Sequence, residues 1–253
     1  MADYIIKDST LTAIADAIRS ATGTAASIRT DAFAGSVIDI SKEGIERKAS
    51  FTSIKNAYAT QVGSYAFAYC GTLKTVSLEN CSKICHRAFM YASKLTTANS
   101  NIYLPNVTVV ESQAFGSCRT TATTKLFTNI NFLPACTTLG SSAFVGCSDL
   151  LTVELPACTT IGSSAFLSCR SLTTVDLPAC TRIYNYAFQD CSQLTTLILR
   201  ASSVATLVNS NVFSNTPIAN GAGYICVPPA WIASYQNATN WTYFSSKIIA
   251  LVE

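Results

Sequence analysis

The feature that most constrains this chain is a repeat. The dipeptide Ala-Phe occurs at Ala66-Phe67, Ala88-Phe89, Ala114-Phe115, Ala143-Phe144, Ala165-Phe166 and Ala187-Phe188, and Val212-Phe213 is a degenerate further copy. The Phe-to-Phe steps are 22, 26, 29, 22, 22 and 25 residues, so the unit is 22 residues with short insertions in three copies. A fixed period of this size marks a stack of similar supersecondary units. The cleanest copy runs from Leu155 to Leu177, with Ile161, Phe166, Leu172, Val175 and Leu177 as its large apolar positions. Thr174-Val175-Asp176-Leu177 alternates with period 2, which reads as a short strand with Val and Leu inward. Pro178 ends that strand, because proline brings no N–H to a ladder. One such unit cannot bury its apolar side alone. Stacked copies bury it against one another, with a parallel sheet along one face.

The recurring unit Cys-x-x-Leu-Thr-x-Val-x-Leu-Pro-x-Cys-x-x-Ile-x-x-x-Ala-Phe, complete from Cys169 to Phe188, resembles the BspA-like (treponemal-type) leucine-rich repeats. The resemblance spans residues 51–230. It implies a right-handed leucine-rich-repeat solenoid, with parallel β-strands on the concave face and irregular or 3₁₀ segments on the convex face. It also implies a binding or adhesion role, with no catalytic residues to carry over. The expected organisation is a short α-helical N-terminal cap or assembly segment over 1–49, repeats over 50–228, and an aromatic C-terminal cap over 229–253.

At the N-terminus, Ser9-Thr10 precede Leu11, Ile14, Ala15 and Ile18 at helical spacing, and Gly23 supplies a stop. A second helix is expected from Thr30 to Ile40, with Phe33, Val37 and Ile40 on one side. The stretch from Ser9 to Arg19 is similar to N-terminal modules of tail-associated structural proteins of bacteriophages and prophages. That similarity implies particle assembly or homo-oligomerisation through residues 1–49. At the other end, Ile225-Cys-Val-Pro228 fits the strand of a last repeat. Trp231, Tyr235, Trp241, Tyr243 and Phe244 then concentrate aromatic residues, as a cap over the open core requires. A helical turn is expected from Pro229 to Gln236, before the apolar run Ile248–Val252. The alternative for these aromatics is a ligand site.

Composition narrows the function classes. Only 12% of residues are charged, against about 25% in an ordinary soluble domain. Ser and Thr fill the gap, with 29 and 31 copies. A net charge of +3 without a Lys/Arg block leaves no footprint for nucleic acid. The single histidine, His86, argues against histidine-rich metal sites and most histidine-based catalysis. No apolar run approaches the length of a membrane helix. The N-terminus lacks the pattern of a signal peptide. The resemblances imply an extracellular or virion-associated location, and the missing signal leaves a cytoplasmic one open.

Most of the eleven cysteines fall on two ladders. Cys70, Cys118, Cys147, Cys169 and Cys191 follow Phe by three residues, and Cys81, Cys136, Cys158 and Cys180 precede it by eight. Ala92 and Thr216 interrupt the first ladder, so no pairing scheme is complete, and reduced core thiols are expected. Cys81-x₃-Cys85-His86 has the spacing of half a zinc site, without a second ligand pair. Adjacent Cys85 and His86 on an extended segment point apart, which argues against a nucleophile–base pair. No cofactor and no enzymatic activity are expected.

With Val175 and Leu177 inward, Thr174 and Asp176 point out on the concave face. The outward ladder through Asp176 is Ser77, Tyr103, Phe132, Glu154, Asp176 and Ile198, and its neighbour is Thr75, Asn101, Ile130, Thr152, Thr174 and Thr196; they continue to Cys226 and Tyr224. These variable positions are the candidate binding site for a protein or surface glycan. Tyr103 and Phe132 beside Ile130 would form an exposed aromatic patch of the kind enriched at binding hot spots. The alternative is that Phe132 packs under its own long insertion. Glu154 and Asp176 read as solvated charge rather than a glycosidase pair or calcium site. The expected function is a non-enzymatic recognition module, in a bacterial adhesin or a phage tail-associated receptor-binding protein. The alternative is a structural assembly or spacer component of a phage particle.

Overall fold

The computed structural model describes residues 52–97, 101–119 and 127–252, together with the backbone of 37–38. The helix expected after Ser9, and the phage-like stretch that contains it, lie outside the described residues.

In chain order the strands are β1 (Val37–Ile38), β2 (Ser53–Lys55), β3 (Gln61–Val62), β4 (Thr75–Ser77), β5 (Lys83–Ile84), β6 (Ile102–Tyr103) and β7 (Val109–Val110). They continue as β8 (Thr138–Leu139), β9 (Thr152–Glu154), β10 (Thr160–Ile161), β11 (Thr174–Leu177) and β12 (Arg182–Ile183). The last coils carry β13 (Thr196–Leu199), β14 (Thr206–Leu207), β15 (Tyr224–Val227) and β16 (Ile248–Ala250). Helix α1 (Pro217–Asn220) precedes β15 and α2 (Ile232–Asn237) follows it. On one side of the stack, β2-β4-β6 form a three-stranded parallel sheet and β9-β11-β13-β15-β16 a five-stranded one. On another side, β1-β3-β5-β7-β8-β10-β12-β14 form one unbroken eight-stranded ladder with two residues per strand. The segment expected to be irregular therefore has a hydrogen-bonded ladder of its own. Two residues are too few for an alternating pattern to show.

A correction concerns residues 30–40. The expected helix does not form at Val37–Ile38, whose extended backbone pairs in parallel with Gln61–Val62. A short helix is marginal on its own. Pairing with the next coil satisfies the same backbone groups and starts the ladder.

A third set of hydrogen bonds runs through the Ala-Phe bends. The N–H groups of Tyr65, Phe67 and Tyr69 donate to the carbonyls of His86, Ala88 and Met90 in the next coil, at 2.9, 2.7 and 2.7 Å. Those of Arg87, Phe89 and Tyr91 donate onward to Ser112, Ala114 and Gly116, at 3.0, 2.7 and 2.9 Å. The intervening N–H groups of Ala66, Ala68 and Cys70 close local turns onto Gly63, Tyr65 and Phe67. Such an alternation goes with left-handed backbone on either side of the Phe. Of the thirteen non-glycine residues with positive φ, twelve lie two residues before or after a repeat Phe, and Gly146 fills a further such position. Each non-glycine residue there costs about 1–2 kcal/mol of backbone strain, offset by the bonds that the conformation aims at the next coil.

The rings between these turns form one column. Phe67, Phe89, Phe115, Phe144, Phe166, Phe188 and Phe213 stack with centroids 5.5, 5.2, 5.2, 5.6, 5.5 and 5.7 Å apart. All seven are fully buried. Phe244 closes the column edge-on at 5.2 Å. Trp241 lies tilted beside Phe213 and is itself fully buried, as is Tyr235. Their polar tips both end on Ala205: Trp241 Nε1 donates to its carbonyl at 2.7 Å, and its N–H donates to Tyr235 Oη at 3.0 Å. Tyr235, Trp241 and Phe244 thus seal the open end of the core rather than line a ligand site, while Tyr243 faces solvent.

Two substitutions test this account by chemical denaturation. Phe166→Ala breaks the column at its centre and is expected to cost about 3–5 kcal/mol. Ser168, with φ 60°, is expected to tolerate Gly within about 0.5 kcal/mol. Val at the same position should cost about 1–2 kcal/mol, since a β-branched residue does not fit left-handed backbone.

Candidate functional site

The long-strand side, formed by the three- and five-stranded sheets, carries the candidate residues. Inward positions are uniformly apolar: Ile54, Val76, Ile102, Val153, Val175, Leu197 and Ile225 are all buried. The pairing places Lys55, Ser77 and Tyr103 in one outward column. It places Glu154, Asp176, Ile198, Cys226 and Ile249 in another. The adjacent column holds Thr152, Thr174, Thr196 and Tyr224, and Thr75 pairs with Ser53. Asn101 directly precedes β6, and its carbonyl accepts from Val76 N–H. Tyr103 and Tyr224 are about half exposed, and Thr152 and Glu154 are open to solvent.

Two expected members do not belong. Ile130 is fully buried, and Phe132 is half-buried against the core, with its ring 5.7 Å from Phe115 and 5.8 Å from Phe127. The cause is one extra residue. The N–H of Leu151 donates to Thr128 just as that of Thr173 donates to Leu151. Ile130 therefore occupies the inward place of Val153, and Asn131 and Phe132 together fill the space of Glu154. No long strand forms in this coil, which is why the long-strand side divides into two sheets. The aromatic pair Tyr103–Phe132 is not formed, and Tyr103 stands without it at the edge of the three-stranded sheet.

Three residues that complete the surface were not singled out beforehand: Lys55, Arg200 and Ile249. Arg200 lies just beyond β13 and grips Asp176 through Nη2 and Nε, at 2.9 and 3.3 Å. The expected acidic pair is therefore half neutralised. An Arg one residue past an Ile-Leu strand end carries no repeat signal, since other copies have Pro or Asn nearby.

A second polar group lies on the two-residue ladder and its adjoining bends. Lys83 Nζ meets Glu111 at 2.6 Å, which raises the Lys83 pKa, chiefly through the hydrogen bond. Glu111 Oε2 also accepts from the His86 backbone N–H at 2.9 Å. Tyr65 Oη accepts from Arg87 at 3.0 Å and lies 3.4 Å from His86 Nε2, while Arg87 Nε donates to Gln113. Cys85 points to the Gln61 carboxamide. His86 is thus engaged by Tyr65, and among the described residues no three metal-binding side chains converge.

The family model of the BspA type leucine rich repeat region matches this chain over residues 17–124 and 121–222, in six copies. The chain belongs to this family. The matched repeats begin inside residues 1–49, and the comparisons give no support to a phage-tail relationship for that segment. No curated protein matches the sequence. Among solved structures, a leucine rich repeat protein of T. pallidum is similar with a TM-score of 0.53 and 23% identity, over 76% of this chain and 84% of that one. The pneumococcal vaccine antigen PcpA is similar with a TM-score of 0.50 and 17% identity, over 81% of this chain and 42% of that one. A leucine-rich repeat protein from Bacteroides ovatus gives a TM-score of 0.50 and 17% identity, over 76% and 58%. The chain thus spans about half the length of the latter two proteins. These likenesses show the fold.

In this BspA-type stack the cysteines are structural. All eleven are free thiols. Cys118, Cys147, Cys169 and Cys191 donate back to the carbonyls of Phe89, Phe115, Phe144 and Phe166 in the preceding coil, at 3.0–3.2 Å. Cys81, Cys136, Cys158 and Cys180 donate to a carbonyl two residues on in their own coil. Burial pushes the Cys118, Cys180 and Cys191 thiols up to about 12, from a usual value of 9.0. Such thiols are not nucleophiles at neutral pH. Stability should be unaffected by them well below pH 9, where both folded and unfolded thiols are protonated. It should fall from about pH 9 to 12, where the unfolded chain ionises first, by about 1.4 kcal/mol per pH unit and thiol. Denaturation midpoints across this range check it: the decline should be shallower in Cys191→Ala by about one proton.

Proposed function

We propose that this chain is a non-enzymatic recognition module that binds a protein partner across its long-strand side, in an adhesin-like role at a cell surface. The observation that carries this reading is the contrast between the two sides of each long strand. Inward positions hold Val, Ile or Leu without exception, as the core demands. Outward positions run Lys55, Ser77, Tyr103, then Glu154, Asp176, Ile198, Cys226 and Ile249, which no packing rule requires. Half-exposed Tyr103 and Tyr224 offer large amphipathic contacts, the residue type that dominates binding energy at interfaces. Lys55 on one sheet and the Glu154–Asp176–Arg200 group on the other give charge complementarity for orientation. Membership of the BspA-type family, and the similarity to a pneumococcal vaccine antigen, support an exposed interaction role.

Binding of the labelled chain to intact cells, read by flow cytometry, tests the assignment. A Tyr103→Ala, Glu154→Lys, Tyr224→Ala triple variant should keep its melting temperature and lose binding by about tenfold or more. Unchanged binding by the folded variant would remove the long-strand side as the contact surface.

A further inference from the structure

The bends carry a second exposed feature, distinct from the long-strand side. Tyr69 and Tyr91 occupy successive places two residues after the repeat Phe. Their rings stack with centroids 4.9 Å apart and an interplanar angle of 21°. Both remain exposed, at 48% and 40%. Both sit on left-handed backbone, with φ 64° and 60°. The fold does not need tyrosine there. The next places in the same column, traced by bend hydrogen bonds from Tyr91 to Gly116, Ser117 to Val145 and Gly146 to Leu167, hold Ser117, Gly146 and Ser168. A bulky residue in a strained conformation, exposed and replaceable by serine or glycine, points to use rather than stability.

The geometry of the column says what fits. One face of the Tyr91 ring is taken by Tyr69. The next place along the stack belongs to Ser117, whose side chain is too small to cover a ring. Among the described residues Tyr91 therefore ends this ring stack while staying exposed, and small residues follow it one coil apart. Gln113, two residues before the neighbouring Phe, brings an amide to the same bend, and Arg119 is exposed just past it. An exposed, backed tyrosine ring followed by small residues suits a sugar chain. A pyranose lays its C–H face on the tyrosine and keeps its hydroxyls free for Ser117 and nearby donors. An aromatic side chain of a protein partner would instead call for a pocket that buries it.

We propose that Tyr91, backed by Tyr69 and continued by Ser117 and Gly146, is a stacking subsite for the pyranose rings of a linear oligosaccharide. The subsite is independent of the protein-binding role of the long-strand side. Calorimetric titration of the full chain with cellohexaose, chitohexaose and maltohexaose tests it. At least one of these is expected to bind at millimolar or tighter affinity. Tyr91→Ala should weaken that binding by about tenfold or more. Ser117→Tyr, a residue that two coils already tolerate at this place, should extend the protein's own stack and block the sugar to a similar extent. Tyr224→Ala, on the long-strand side, should leave sugar binding unchanged while contributing to the loss of cell binding. Absence of binding by all three sugars, or binding that survives both bend variants at an unchanged melting temperature, overturns the proposal. Loss of sugar binding in Tyr224→Ala overturns it as well, by moving the contact to the other surface.

Discussion

The structure depends on the bend around each Phe, where alternate N–H groups donate to the next coil. In that bend the N–H groups before, at and after Phe point one way, and the intervening ones fold back onto local carbonyls. The conformation is strained residue by residue, and it exists only because a following coil accepts its bonds. A single repeat has no acceptor, so the unit is stable only in a stack. The Ala beside each Phe follows from the same constraint. Six of these alanines are buried between coils, and only the last copy has the larger Val212 there.

Once the bends fix the coil spacing, the remaining core falls into columns. Phe stacks on Phe, and the thiols of the Cys118 column reach back to the Phe carbonyl of the coil before. Thr216 continues that column with a hydroxyl, which bonds the Phe213 carbonyl of its own coil. Such a core has no use for charge, and the turns between columns are too tight for long side chains. This accounts for the scarcity of charged residues and the wealth of Ser and Thr. It also fits a chain with many cysteines and no cross-links: eight of the eleven thiols have a backbone carbonyl to bond and a buried niche to fill.

The repeat, the long strands and the cap residues were legible because each leaves a periodic or compositional mark. Val175 and Leu177 alternate, Phe recurs at fixed steps, and Trp241 breaks an aromatic-poor stretch. The outward ladders followed from that register wherever the copy length stayed near 22. Other features left no mark. Two-residue strands such as Val109–Val110 are too short to show alternation, and Val37–Ile38 falls in a stretch that also fits helical spacing. The shift at Ile130 comes from one residue added within the strand position, inside a long copy whose other extra residues mask it. Left-handed backbone is equally silent: Tyr69 and Tyr91 look like ordinary turn residues until their φ angles are known.

The added residue at Asn131 and Phe132 changes one side of the stack and leaves the others untouched. Across the same coil, Val109 and Val110 still pair with Thr138 and Leu139, and Phe115 still lies flat on Phe144 at 5.2 Å and 1°. The long-strand side is therefore mechanically subordinate: it hangs from a scaffold whose continuity is kept elsewhere. Residues can be gained or lost on that side without the rest of the stack changing register. In evolutionary terms this separates inheritance of the fold from invention of a surface, so that the recognition face can be rewritten in blocks while the frame that carries it stays the same.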